Sequence, residues 1–171
     1  GGLFVPTTLP TLDEVAVTAL SGMDYADRAS YILSLFLTDY EKSDLDMMAK
    51  SAYSKENFGE NAAPLSKVAD AFVLELWHGP TSAFKDMALQ MLPYLLTASM
   101  KKNGEDKTVC ILVATSGDTG KAALEGFCDV DHTKILVFYP KDGVSDIQQL
   151  QMVTQAGENV GVCAVYGNFD D

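Results

Sequence analysis

The amino-acid sequence predicts an α/β protein: a mainly helical segment over residues 1–70, then a parallel sheet with βαβ crossovers over residues 71–171. Three observations predict it. Hydrophobic spacing is helical up to about residue 70 and gives way to short, nearly continuous apolar runs beyond it. Those runs are apolar on both faces, as strands buried on both sides are. They alternate with helical stretches, the order that yields a parallel sheet covered by helices with right-handed crossovers.

The elements follow in chain order. Thr11 precedes Leu12, Val15, Ala16 and Leu20, an apolar stripe at helical spacing that ends at Ser21 and Gly22. Residues 24–40 place Ala29, Ile32, Leu33, Phe36, Leu37 and Tyr40 on one face. A third helix opens at Ser43, with Asp44 and Asp46 where negative charge suits the helix dipole. Residues 57–64, rich in Gly, Asn and Ala, read as a connector. The three helices are amphipathic and read as scaffold. Residues 71–76 form the first expected strand, followed by a loop and a helical pattern over 85–102 in which Pro93 is expected to introduce a kink. The second strand is 108–115, then a glycine-bearing turn and a helix over 119–127. The third, 134–139, ends at Pro140; a helix over 145–155 leads to the fourth, 160–166. Three consecutive βαβ units result. The chain starts without Met and closes on Asn168, Phe169, Asp170 and Asp171, which read as the cap of a further helix, so part of a longer polypeptide is expected.

Composition narrows the function. With 171 residues and 47% hydrophobic side chains the chain can bury a core, which excludes disorder as the default. Twelve Lys and Arg stand against 24 Asp and Glu, a net charge of −12 that repels phosphate backbones and anionic lipid, so neither nucleic acid nor membrane is expected as a partner. There is no apolar run long enough for a membrane span and no basic-then-apolar leader, which points to the cytoplasm. Cys110, Cys128 and Cys163 are odd in number and form no CxxC pair; they are expected as small core hydrophobes in a reducing compartment. The acids, His78 and His132 show no metal-ligand spacing, so no metal site is expected.

Two loops carry the chemistry, both directly after apolar runs and hence at the carboxyl edge of the expected sheet, where open parallel sheets bind ligands. The first reads Trp77-His78-Gly79-Pro80-Thr81-Ser82-Ala83-Phe84-Lys85-Asp86. Gly79 and Pro80 force a turn, and Thr81 or Ser82 can cap the helix that follows. Lys85 is then expected in that helix's first turn, where the dipole and desolvation favour the neutral, nucleophilic amine. The plainer alternative is a lysine reaching outward to pair with Asp86 or a nearby acid. The second loop, Ala114-Thr115-Ser116-Gly117-Asp118-Thr119-Gly120, is a strand-to-helix turn whose N–H groups can converge on a carboxylate or a phosphate. An ordinary capped turn is its alternative reading. Neither the dinucleotide GxGxxG nor the P-loop spacing is present.

The two loops together, HGPTSAFKD and then ATSGDTG, resemble those of threonine synthases, pyridoxal-phosphate enzymes of the fold-type II (tryptophan-synthase-β-like) group. The opening GGLFVPTTLP is similar to the family's GLFxP segment, and YPKDGVSDIQQLQM to its YPxxxxSxxQxxQM stretch, so the resemblance runs over essentially the whole chain. Ser82 stands where relatives often carry a bulkier apolar residue. The resemblance implies that Lys85 condenses with the aldehyde of pyridoxal 5'-phosphate and shuttles protons, with Phe84 and Asp118 also beside the cofactor. It further implies that Ser116, Gly117, Asp118 and Thr119 grip the substrate carboxylate, and that His78 and Thr81 line the same pocket. The implied reaction converts O-phospho-L-homoserine and water into L-threonine and phosphate, the last step of threonine biosynthesis. The family's phosphate-binding loop and pyridine-nitrogen partner are not among these 171 residues, so the chain alone is expected to be inactive. Two further functions remain open: a threonine-synthase-like phospho-lyase, and a non-catalytic anion-binding or interaction module. Oligomeric state is not legible.

Overall fold

A computed structural model describes residues 2–167; the helix cap expected at 168–171 lies outside the described residues. The chain forms two compact units, Gly1–Ser54 and Lys55–Asp171, so the contact boundary falls after Ser54, ahead of the change in periodicity at residue 70.

The first unit is helical, with α1 (Glu14–Ser21), α2 (Tyr25–Phe36) and α3 (Lys42–Ala52). Asp13 and Asp24 cap α1 and α2, each carboxylate accepting a backbone N–H at 2.8 Å, from Ala16 and Asp27. The cap of α1 is therefore Asp13, two residues beyond Thr11. Helix α2 stops at Phe36, so Leu37 and Tyr40 do not extend its face. Leu45, Met48, Ala49 and Ala52 of α3 and Ala26 of α2 supply the buried apolar side chains. Ser30, fully buried on α2, donates to Asp46 at 2.6 Å and accepts from the Lys42 ammonium at 3.0 Å, so the polar group is satisfied across the helix pair. No residue of α1 is buried.

The second unit begins with the single turn α4 (Lys55–Phe58) and a two-stranded antiparallel hairpin, β1 (Leu65–Val68) with β2 (Ala71–Leu74). Then come α5 (Asp86–Leu89), α6 (Leu92–Lys102), β3 (Val109–Ala114), α7 (Asp118–Phe127), β4 (Thr133–Pro140), α8 (Asp146–Val153) and β5 (Val160–Val165). The sheet β3-β4-β5 is parallel, with Ile111 beside Ile135 and Ile135 beside Val160. The predicted α/β class with a parallel sheet is thus correct, with two corrections. The first apolar run pairs with 65–68 in the hairpin and does not join the parallel sheet, which leaves two βαβ units where three were expected. The helical pattern over 85–102 is two helices: the chain breaks at Gln90 and Met91, and Pro93 falls in the first turn of α6, where a missing N–H costs nothing.

The core lies on one side of the sheet. Ile135, Val137 and Tyr139 of β4 pack against Ala123, Leu124 and Phe127 of α7 and Met152 of α8, with Ile111, Val113, Val160 and Val162 at the margins. On the opposite face Leu112 is 67% exposed and Cys110 and Cys163 are exposed, so that face is not covered by the described residues. All three cysteines are free thiols, but they are not core hydrophobes: Cys110 and Cys163 follow the sheet's alternation to the bare face, and Cys128 is half-buried with its thiol 3.0 Å from the Ala156 carbonyl.

Candidate active site

The Lys85 loop is held by a buried carboxylate. Asp86, fully buried, accepts the Thr81 backbone N–H at 2.8 Å through one oxygen and the Thr81 hydroxyl at 2.7 Å through the other. A Cβ on Gly79 would come within 2.5 Å of the Asp86 side chain, so the turn closes only with glycine there. Thr81 therefore does not cap α5; its hydroxyl donates to the first residue of the helix. Ser82 takes a left-handed φ of 58° between these clamps. Lys85 stands at the N-cap of α5, one position ahead of the first-turn site that was expected. Its side chain is half-buried, with Nζ 4.6 Å from the centroid of the Phe84 ring. Lys85 makes no ion pair among the described residues: Asp86, the partner of the plainer reading, is engaged with Thr81.

His78 belongs to a separate chain of hydrogen bonds. Its Nε2 lies 2.6 Å from Glu75 Oε2, and Glu75 Oε1 accepts the Ser66 hydroxyl from β1 across the hairpin. The Ser66 hydroxyl first, and the His78 imidazole second, hold the Glu75 carboxyl below the usual carboxylate range. With Glu75 ionised, Nε2 carries the hydrogen. The ring also stacks on Trp77, centroids 5.7 Å apart.

The second loop leaves the carboxyl end of β3 as expected. The buried Thr115 hydroxyl gathers it, accepting the N–H groups of Gly117 and Gly120, each at 3.0 Å. Gly117 has φ 144° and ψ −98°, which only glycine adopts without strain, and serves as the N-cap of α7 with no side-chain cap. No hydrogen bond takes up the N–H of Asp118 or Thr119 among the described residues. Two backbone donors at the positive end of a ten-residue helix remain for an anion. The Asp118 carboxylate is drawn sideways by Gln148 of α8, whose Nε2 donates to Oδ1 at 3.0 Å.

Each predicted site residue therefore has a defined place. The structure brings together Thr81 with Asp86, Lys85 with Phe84, and the 115–120 loop with α8. No hydrogen bond or ion pair among the described residues joins His78, Thr81 or Lys85 to residues 116–119. The link between the loops is structural: α5 packs on α7, and a Cβ on Gly126 would lie 2.2 Å from the Leu89 carbonyl. Sequence reasoning missed the supports, namely Thr115, Glu75, Gln148 and the role of Asp86. Thr115 and Gln148 carried usable signals, a Thr-x-Gly after a strand and a Ser-x-x-Gln at a helix start.

The site's parts are an amine on a clamped turn and orphan N–H groups at a helix start. Residues 1–53 match the family model described as threonine synthase N terminus. Over its full length the chain is 42% identical to the threonine synthase of Pseudomonas aeruginosa, covering 36% of that protein. The crystal structure of PLP-bound threonine synthase from Brucella melitensis superposes with a TM-score of 0.88 at 38% identity, over 99% of this chain and 36% of that one. Along its whole length the chain is thus similar to part of the threonine synthases, and its first 53 residues match their N-terminal family model. It spans little more than a third of the length of these two relatives. Mouse threonine synthase-like 2, 38% identical over the full chain and 35% of its own length, falls within the same similarity.

Proposed function

We propose that the polypeptide containing this chain is a pyridoxal 5'-phosphate-dependent threonine synthase, a carbon–oxygen lyase of the cytoplasm that converts O-phospho-L-homoserine and water into L-threonine and phosphate. The observation that carries the reading is Lys85: a half-buried primary amine on a turn clamped by its neighbour Asp86 and in no ion pair among the described residues. The residues fit the cofactor, since an amine with no carboxylate partner suits an aldehyde. Bound there, the cofactor supplies an electron sink for charge developing on the substrate's carbon chain.

The chain's own residues do the rest. Lys85 would hold the cofactor through its aldehyde, and its free amine would take the proton from the substrate Cα and return protons along the carbon chain. Phe84 shields one side of that amine. The N–H groups of Asp118 and Thr119, with the hydroxyls of Ser116 and Thr119, hold the substrate carboxylate, and the Thr115 and Gly117 backbone geometry keeps those donors convergent before the substrate arrives. Thr81 and the Glu75-oriented His78 line the same pocket. Turnover is assigned to the whole polypeptide; the 171-residue chain alone is expected to be inactive.

Reduction with borohydride tests the assignment. Full-length protein incubated with pyridoxal 5'-phosphate and reduced should carry the cofactor on the peptide containing Lys85, and Lys85→Ala should abolish the label. Absence of label at Lys85 in the native sequence sinks the enzyme reading and favours an anion-binding module. The similarity to threonine synthase-like 2 supports a second reading, a phospho-lyase that releases phosphate and returns a keto acid. Threonine as the product, with no 2-oxobutyrate, decides for the synthase.

A further inference from the structure

Gln148 joins two loops that the sequence treats separately. It is the third residue of α8 and forms a reciprocal cap with Ser145: Oε1 accepts the Ser145 N–H at 3.1 Å, and the Ser145 hydroxyl accepts the Gln148 N–H at 3.3 Å. The same side chain also reaches out of its helix, since Nε2 donates to Asp118 Oδ1 at 3.0 Å. Its amide is pressed on the 115–120 loop so closely that a Cβ on Gly117 would lie 2.5 Å from Gln148 Cδ and Nε2. A capping glutamine has no need of this second contact. Asp118 gives it a purpose. Its carboxylate begins α7, beside the two N–H groups that no hydrogen bond takes up among the described residues. A carboxylate at that position is drawn to the positive end of its own helix and opposes an incoming anion there.

We propose that Gln148 is a positioning residue of the anion cradle: by donating to Asp118 it holds that carboxylate toward α8 and leaves the Asp118 and Thr119 N–H groups to a ligand carboxylate. The inference rests on the reading of this loop as the substrate-carboxylate site. It makes the Ser-x-x-Gln of α8 part of substrate recognition as well as of helix initiation.

Substitution by glutamate separates the two duties. Glutamate at this position keeps the reciprocal cap, because its oxygen still accepts the Ser145 N–H, but it has no donor for Asp118 and repels it. In the full-length enzyme loaded with pyridoxal 5'-phosphate, Gln148→Glu is expected to leave the thermal midpoint and the borohydride label on Lys85 unchanged. It is expected to raise KM about tenfold with kcat within about twofold. The dissociation constant for L-threonine, read from the cofactor's absorbance change, should rise in parallel. Gln148→Ala loses both bonds and should lower the midpoint as well as raise KM. Wild-type KM and threonine affinity in Gln148→Glu would show a helix cap and nothing more, which overturns the inference. An unlabelled Lys85 in the native protein overturns the reading beneath it, and this inference with it; a labelled native protein with an indifferent Gln148→Glu overturns this inference alone.

Discussion

The chemistry of the first loop and its architecture are divided between adjacent residues. Lys85 offers the amine, while Asp86 takes both Thr81 donors and fills the space against Gly79. Replacing Asp86 by Ala strands a buried N–H and hydroxyl, and the expected loss is about 3 kcal/mol of unfolding free energy, measured by urea denaturation. Asp86→Asn keeps one acceptor oxygen and should lose about half of that. Lys85 itself was legible because a lysine between a Gly-Pro turn and a helix start is chemically conspicuous. Asp86 reads in the sequence only as a possible counter-ion. Sequence shows that an acid follows the lysine; it does not show that the backbone curls Thr81 back onto that acid, because that depends on the left-handed φ of Ser82, a residue with no strong preference for it.

At the scale of elements, the misplaced strand is instructive. Four consecutive apolar residues, 71–74, suit a strand buried on both faces, yet all are exposed in β2, whose partner β1 lies just upstream. The turn between them is Ala69 and Asp70, with φ 52° at Ala69, a position where Gly is the usual signal; without it the hairpin left no mark in the sequence. Strands β3, β4 and β5 were legible because a helix of adequate length separates each from the next. The connector between α7 and β4 has its own staple, also unread: Asn159 Nδ2 donates to the Phe127 carbonyl at 2.8 Å and lies 3.2 Å from the Thr133 hydroxyl, while its Oδ1 accepts the Asp129 N–H at 2.7 Å. Asn159→Ala should destabilise the parallel-sheet unit by about 2–3 kcal/mol, seen as a lower urea midpoint with little change in slope.

At the scale of the whole molecule, the helical unit carries a built-in sensitivity to alkali. In the helical unit burial raises the Tyr25 phenol, with the Arg28 charge opposing, and burial raises the Tyr53 phenol further, helped by Tyr25, whose ring meets it edge-on at 4.8 Å. Both groups stay protonated in the fold at a pH where the unfolded chain ionises. Their contribution is fully present below about pH 10 and is lost as pH rises above it, because the unfolded state then binds fewer protons than the folded one. Loss of helical signal between about pH 10 and 12, with tyrosinate absorbance appearing in the same interval, is the expected result. Retention of full helicity with both phenols ionised would refute it. The division of duties at residues 85 and 86 also bears on descent. A lineage that exchanged the amine alone would keep the turn and the helix, because the Asp86–Thr81 clamp does not involve the Lys85 side chain; the amine can vanish in a single codon while the shape endures.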